Sequence, residues 1–206
     1  MKRTIGLFGG TFNPVHFGHL NVAKHIINET NVSKIDMIPT KAPHYKENVI
    51  DIGYRFDMLL KATKNEDNID VRGYEQVADK NSYALDMVKR FKKFRSLADF
   101  EKVKFIVGID AFSTLFGNWY QPYKLIDEID FLVVNRPNNR IEPPYTLHPR
   151  EKFKEIEDSF EIIDIPELLI SSTKIRNMIK NEKPIDCFMP DLVQEYIKTN
   201  QIYKEW

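Results

Sequence analysis

Two histidines stand three residues apart in GGTFNPVHFGHL (Gly9–Leu20), directly after an apolar run and two glycines. Residues three apart at a helix start share a side, so His16 and His19 present their rings together. A helix N-terminus carries a partial positive charge and N–H donors that bind anions. Imidazoles added there contact phosphate oxygens; a capping or core role and a pair of metal ligands are the other readings. A metal site lacks evident further ligands, because Cys187 and His44 are isolated and no HExxH occurs. At the other end of the chain, LLISSTKIR (Leu168–Arg176) sets Ser171, Ser172 and Thr173 before a helical run. Ser or Thr at that place is an N-cap signal. Arg176, one turn further on, points a bidentate anion-binding fork back toward the start of its helix.

These residues need elements to hold them. Six runs rich in β-branched and aromatic residues read as strands: Thr4–Gly9, Lys34–Pro39, Ile69–Tyr74, Lys102–Asp110, Asp130–Arg136 and Phe160–Pro166. Between them lie stretches of helical periodicity. Leu20, Ala23, Ile26 and Ile27 share one face; so do Phe56, Leu59, Leu60 and Thr63, and then Leu85, Val88 and Phe91. A last helix after Pro190 turns Leu192, Val193, Tyr196 and Ile197 inward. Alternating strands and helices predict an α/β fold, a Rossmann-like, doubly wound, mostly parallel twisted sheet with helices on both faces. Residues 1–206 read as a single domain whose C-terminal helical part, about 170–206, carries the Ser-Ser-Thr motif. The proline-rich stretch Asn135–Pro149 reads as a surface loop. Ligands of such sheets bind at the carboxyl ends of the strands, where GGTFNPVHFGH sits. That segment is neither a G-x-G-x-x-G fingerprint nor a P-loop; Gly9 and Gly10 there permit close backbone approach of a ligand, and Thr11 adds a hydroxyl.

At this point the chain shows a resemblance. TFNPVHFGH resembles the (H/T)xGH signature of the nucleotidyltransferase superfamily, and ISSTKIR resembles its ISSTxxR signature. The pair, in that order, implies a triphosphate site with Gly9, Gly10, Thr11, Phe12, Gly18, Ser171, Ser172 and Thr173 around ATP. His16, His19 and Arg176 are implied to stabilise charge developing on the α-phosphate and the leaving pyrophosphate, with Mg2+ bound mainly through the ATP phosphates and no covalent intermediate. GGTFNPVHFGHL is most similar to the bacterial nicotinate-nucleotide adenylyltransferase family, and the similarity runs across nearly the whole chain. The shorter pantetheine-phosphate adenylyltransferases share both signatures but lack the GGTFxPxH extension.

That family implies ATP and a pyridine mononucleotide as partners and a place in NAD biosynthesis. IPTKAPHYK resembles its basic loop, so His44 and Lys46 are expected at anionic phosphates. Arg55 with Met58 and Leu59 resembles its R-x-x-M-L helix. Ser82, Tyr83 and Ala84 resemble its S-Y-T segment, implied to lie beside the nicotinate carboxylate. Asp110 and Trp119 resemble its I-G-x-D…W segment, where Asp110 accepts from ribose hydroxyls and Trp119 stacks on the pyridine ring. Arg136 resembles the arginine of V-x-x-R-P. The chain departs from the pattern twice: Tyr45 is inserted before Lys46, and both threonines of S-Y-T-x-D-T are replaced, by Ala84 and Met87.

Composition narrows the partners. Lys plus Arg number 30 and Asp plus Glu number 30, so no global field draws in nucleic acid or an anionic membrane. The basic run Lys89–Arg95 reads as a solvated helix face. One cysteine forbids an internal disulfide, which fits a reducing, cytoplasmic setting. MKRTIGLFGG reads as no signal peptide, and no run reaches the ~18 apolar residues of a membrane span.

Overall fold

The structure is a computed structural model that describes residues 3–41, 48–76, 83–94, 100–135, 150–166 and 169–204. Six strands form one all-parallel sheet: β1 (Arg3–Gly10), β2 (Val32–Pro39), β3 (Ile69–Val71), β4 (Phe100–Gly108), β5 (Asp130–Asn135) and β6 (Phe160–Asp164). Their order is β3-β2-β1-β4-β5-β6, so the direction of winding reverses between β1 and β4. All six strands anticipated from the sequence are present. β3 stops at Val71 and β6 at Asp164, short of the Tyr74 and Pro166 expected from composition; β6 ends where its neighbour β5 ends, at Asn135.

The alternation of side chains sorts the core into two layers. Ile5, Leu7, Phe105, Val107, Phe131 and Val133 face one side of the sheet; Ile106, Leu132 and Val134 face the other. On the first side they meet α3 (Ala84–Phe94) through Leu85, Val88 and Phe91, α4 (Ile109–Phe112) through Phe112, and α6 (Pro122–Glu128) through Leu125. The four-residue α5 (Leu115–Asn118) and α7 (Arg150–Glu155) add Leu115 and Phe153. On the second side lie α1 (Phe17–Glu29), α2 (Ile52–Ala62), α8 (Ser172–Lys180) and α9 (Asp191–Thr199), which supply Leu20, Ile26, Met58, Ile175, Val193 and Ile197. This is the doubly wound arrangement that the periodicity predicts.

Two helix faces differ from the expectation. α2 buries Arg55, Met58, Leu59 and Ala62, a stripe at i, i+3, i+4 and i+7, which rotates Leu60 outward to 46% exposure. α9 likewise buries Val193 and Ile197, and Leu192 lies outside their stripe, exposed. The expected surface loop at 135–149 lies, beyond Asn135, outside the described residues.

Candidate active site

The carboxyl ends of β1 and β4 are adjacent at the reversal of strand order, β1 leading into the loop before α1 and β4 into the start of α4. His16 is the N-cap of α1, with extended backbone angles, and His19 is its third helical residue. The two rings stack with centroids 3.8 Å apart and planes 28° from parallel. The backbone N–H of His16 donates to His19 Nδ1 at 3.2 Å. A neutral imidazole that accepts at Nδ1 carries its proton on Nε2, so this bond assigns His19 as a donor at Nε2. Phe12 packs edge-on against the His19 ring, 5.0 Å between centroids. The first amide of α1 is already engaged: Phe17 N–H donates to the Phe188 carbonyl at 2.8 Å. The anion-binding capacity of this helix start therefore rests on the rings and the loop before it more than on its first N–H.

The glycines of the loop have packing reasons. A Cβ on Gly18 would lie 2.9 Å from both Nδ1 and Cε1 of His16, inside any normal contact, so only glycine lets the ring fold over the first turn. A Cβ on Gly9 would meet Met87 Cε at 2.7 Å, and one on Gly10 the Phe12 ring at 2.8 Å. On the side where a Cβ would stand, Gly9 and Gly10 are therefore covered by Met87 and Phe12. Phe12 itself is 2% exposed and has φ 48, in the left-handed region. That conformation costs a non-glycine residue about 1–3 kcal/mol and persists only where its surroundings impose it. Its side chain belongs to the core.

The second motif docks on the first. Ser171 is the N-cap of α8, its Oγ accepting from Lys174 N–H at 3.2 Å, as the capping reading predicts. Ser172 Oγ donates to the Pro14 carbonyl at 2.9 Å. Arg176 donates through NH1 to the Asn13 carbonyl at 2.8 Å and through NH2 to Thr173 Oγ1 at 3.3 Å. The guanidinium therefore reaches the histidine loop, as its placement one turn into the helix predicts.

Three residues that sequence reasoning did not place in the site organise it from behind. Arg55 is fully buried, and its guanidinium donates to the carbonyls of Ile50 (2.9 Å), Thr11 (2.8 Å), Thr40 (2.7 Å) and Lys41 (3.2 Å). Burial pulls its pKa below the ordinary arginine value, while nearby Tyr203 and Asp51 oppose that shift. Asn13 accepts from the Tyr203 hydroxyl at Oδ1 (2.8 Å) and donates from Nδ2 to the Asn48 carbonyl (3.1 Å). Tyr203 is 2% exposed, and desolvation raises its pKa far above the phenol range. The signal available for Arg55 was its position on the apolar stripe of α2, where an arginine has no solvent reason to stand.

The residues assigned by resemblance to the pyridine nucleotide are only partly visible. His44, Lys46, Ser82 and Arg136 lie outside the described residues. Asp110 is not at the end of a strand: β4 closes at Gly108, the N-cap of α4, and Asp110 stands exposed in the first turn of that helix. Trp119 is half-buried, edge-on to Phe105 at 6.1 Å, with Nε1 donating to the Ala111 carbonyl at 3.1 Å and to Thr114 Oγ1 at 3.3 Å. Tyr83 stacks on Tyr120, 4.5 Å between centroids, just before α3 begins at Ala84. Through Met87, the first turn of α3 abuts Gly9 at the carboxyl end of β1. Among the described residues, no group of three or more His, Cys, Asp or Glu is placed to hold a metal ion, and no helix is long and apolar enough to cross a membrane.

A 3-2-1-4-5-6 sheet whose reversal point carries stacked histidines, clamped by a Ser-Ser-Thr…Arg helix, defines the class as a nucleotidyltransferase, and the family model described as cytidylyltransferase-like matches residues 7–178. The nicotinate-nucleotide adenylyltransferase of Bacillus subtilis is 33% identical over 206 residues, covering 99% of this chain and 100% of the relative. The chain belongs to the nicotinate-nucleotide adenylyltransferase family. In fold it is similar to the Plasmodium falciparum nicotinic acid mononucleotide adenylyltransferase solved in complex with NaAD, with TM-score 0.77, 22% identity and coverage of 98% of this chain and 97% of that one. The same enzyme complexed with APC gives a TM-score of 0.75 at 21% identity, again covering 98% and 97%.

Proposed function

We propose that the protein transfers AMP from ATP to nicotinate mononucleotide, giving deamido-NAD and pyrophosphate in NAD biosynthesis. The observation that carries this reading is the convergence of the stacked His16–His19 pair and Arg176 on one loop at the reversal point of the sheet. In the reaction an oxygen of the mononucleotide phosphate bonds to the α-phosphorus of ATP, and the bond from that phosphorus to the bridging β-phosphate oxygen breaks. The electron pair leaves on pyrophosphate. The protein forms no covalent bond; it positions both phosphates in line and meets the negative charge. His19 donates from Nε2 to a phosphate oxygen, His16 backs it, and Arg176 supplies a fixed positive charge held by Asn13. Gly18, Thr11 and the main chain of Phe12, with Ser171, Ser172 and Thr173, enclose the triphosphate. Mg2+ comes to the site as the counter-ion that ATP brings on its own phosphates. Residues 1–206 read as one catalytic domain, and a single cysteine fits a reducing, cytoplasmic setting.

For the pyridine nucleotide, the indole of Trp119 offers an aromatic face and the first amides of α3 offer N–H donors to the ring carboxylate. Asp86 in the same turn works in the opposite direction, because a carboxylate there favours the amide of nicotinamide mononucleotide. The two substrates are separated by offering each with ATP and Mg2+ and quantifying the dinucleotide by chromatography. A preference of more than tenfold for the acid supports α3 amides in place of the two missing threonines. Preference for the amide keeps the chemistry and assigns the recognition to Asp86. Product from neither, with pyrophosphate released from ATP when phosphopantetheine is the acceptor, overturns the reading.

A further inference from the structure

Buried charge in a protein interior is normally paired with a carboxylate or replaced by an apolar residue of similar size at no loss of stability. Arg55 shares the stripe of Met58, Leu59 and Ala62 on α2, where a methionine would fit the pattern, yet its guanidinium bonds to four main-chain carbonyls from three separate segments. Those segments are the β1–α1 loop at Thr11, the extension of β2 at Thr40 and Lys41, and the turn into α2 at Ile50. In a trans peptide the C=O and the next N–H point in opposite directions. By drawing the Thr11 carbonyl inward, Arg55 turns the N–H of Phe12 away from itself, and by drawing in Thr40 it does the same to the N–H of Lys41. Phe12 is also the residue held at φ 48, so the loop is fixed in a conformation its own sequence does not favour.

We infer that Arg55 is a positioning residue for the transfer reaction: it ties the histidine loop at Thr11 and the end of β2 at Thr40 and Lys41 to one rigid point on α2, fixing where the histidine loop stands at the reversal point of the sheet. This rests on the adenylyltransferase reading for its rate effect, and on the hydrogen bonds alone for its structural effect. A guanidinium has the five donors in a plane that this fan of carbonyls requires; an ammonium reaches fewer of them, and a thioether none.

The test is a series of R55K and R55M, each assayed below its own melting temperature with rates divided by the folded fraction. Expected is a loss of kcat of about 10- to 100-fold in R55M, the scale of a misplacement near 1 Å, with KM for ATP within threefold and R55K intermediate. A plain packing role lowers the melting temperature and leaves the kcat of folded R55K and R55M at the wild-type value, which overturns the inference. Wild-type hydrogen exchange supplies the arm that needs neither folding of a variant nor activity. Amides of residues 11–16 are expected to open together with α2; exchange of that loop more than 100-fold faster than α2 overturns the tether even if the enzyme proves active. Absence of transfer activity in the wild type overturns the adenylyltransferase reading and leaves the exchange arm to decide the tether.

Discussion

Arg176 and Asn13, 163 positions apart, are joined by a 2.8 Å bond from the guanidinium to the backbone carbonyl, and with the bond from Ser172 Oγ to the Pro14 carbonyl it brings the two signature segments of the chain onto one loop. It also leaves Arg176 fixed rather than free to swing. Replacing it by alanine is expected to lower kcat/KM for ATP about 100- to 1000-fold, the usual cost of deleting a preorganised donor to developing charge. Stability falls by only about 1 kcal/mol, for a lost half-buried hydrogen bond to Asn13 and an exposed one to Thr173. Steady-state kinetics beside a urea titration separates the two; a stability loss that accounts for the whole rate loss assigns Arg176 to architecture.

Gly18 offers a sign test. Ala is favoured over Gly in a helix by about 1 kcal/mol, so propensity alone predicts that G18A raises the melting temperature. The 2.9 Å approach of its Cβ to the His16 ring predicts the opposite, together with displacement of the stacked pair. G18A is expected to melt no higher than wild type and to lose at least tenfold in kcat.

The two nitrogens of His19 have different tasks, and two substitutions divide them. Asparagine places an acceptor near Nδ1 and keeps the bond from His16 N–H, while glutamine places a donor near Nε2 and loses that bond. H19N is expected to retain near-wild-type stability with kcat reduced about 100-fold or more; H19Q is expected to retain more activity than H19N and less stability. The reverse ranking in a paired thermal melt and rate assay makes the ring a structural cap.

Trp119 is held by its Nε1 bonds with its ring edge-on to Phe105, so its own orientation survives without substrate. W119A is expected to raise KM for the pyridine mononucleotide about tenfold and KM for ATP less than twofold, with W119F between; stacking on one base is worth about 1–3 kcal/mol. An equal rise in both constants removes it from the pyridine side.

Tyr203 makes stability fall in alkali. Burial raises its pKa in the folded state above the ordinary value of 10, so its contribution is complete below pH 10 and is lost as pH climbs from there toward the folded value. Tyr196, whose pKa is raised by burial and by its bond to Asp57, acts in the same window. Y203F is expected to lose about 1 kcal/mol at pH 7, for the missing bond to Asn13, and to show a shallower decline above pH 10. Chemical denaturation from pH 7 to 11 measures both.

The six strands and the principal helices were legible because parallel strands buried on both faces are continuous β-branched and aromatic runs, and the covering helices carry apolar residues at 3.6 spacing. The His16–His19 pair and the Ser171–Arg176 cap were legible for the same reason: each is local, set by separations of three to five residues at a helix start. The family signatures added the prediction that the two meet.

Sequence by itself thus determined the class of fold, the two anion-binding segments and the family to which they belong. Only the tertiary structure decided what each residue of those segments does. Gly9 and Gly10 make room for the Met87 and Phe12 side chains, and the Phe17 amide is engaged by Phe188. Arg55, read as part of a helix motif, and Tyr203 became the inner supports of the histidine loop. The physical reason is range. Periodicity and caps depend on neighbours within a turn or a strand repeat, whereas the contacts of Arg55 span up to 44 residues and that of Tyr203 spans 190. Such contacts exist only after the sheet has fixed where the ends of its strands lie.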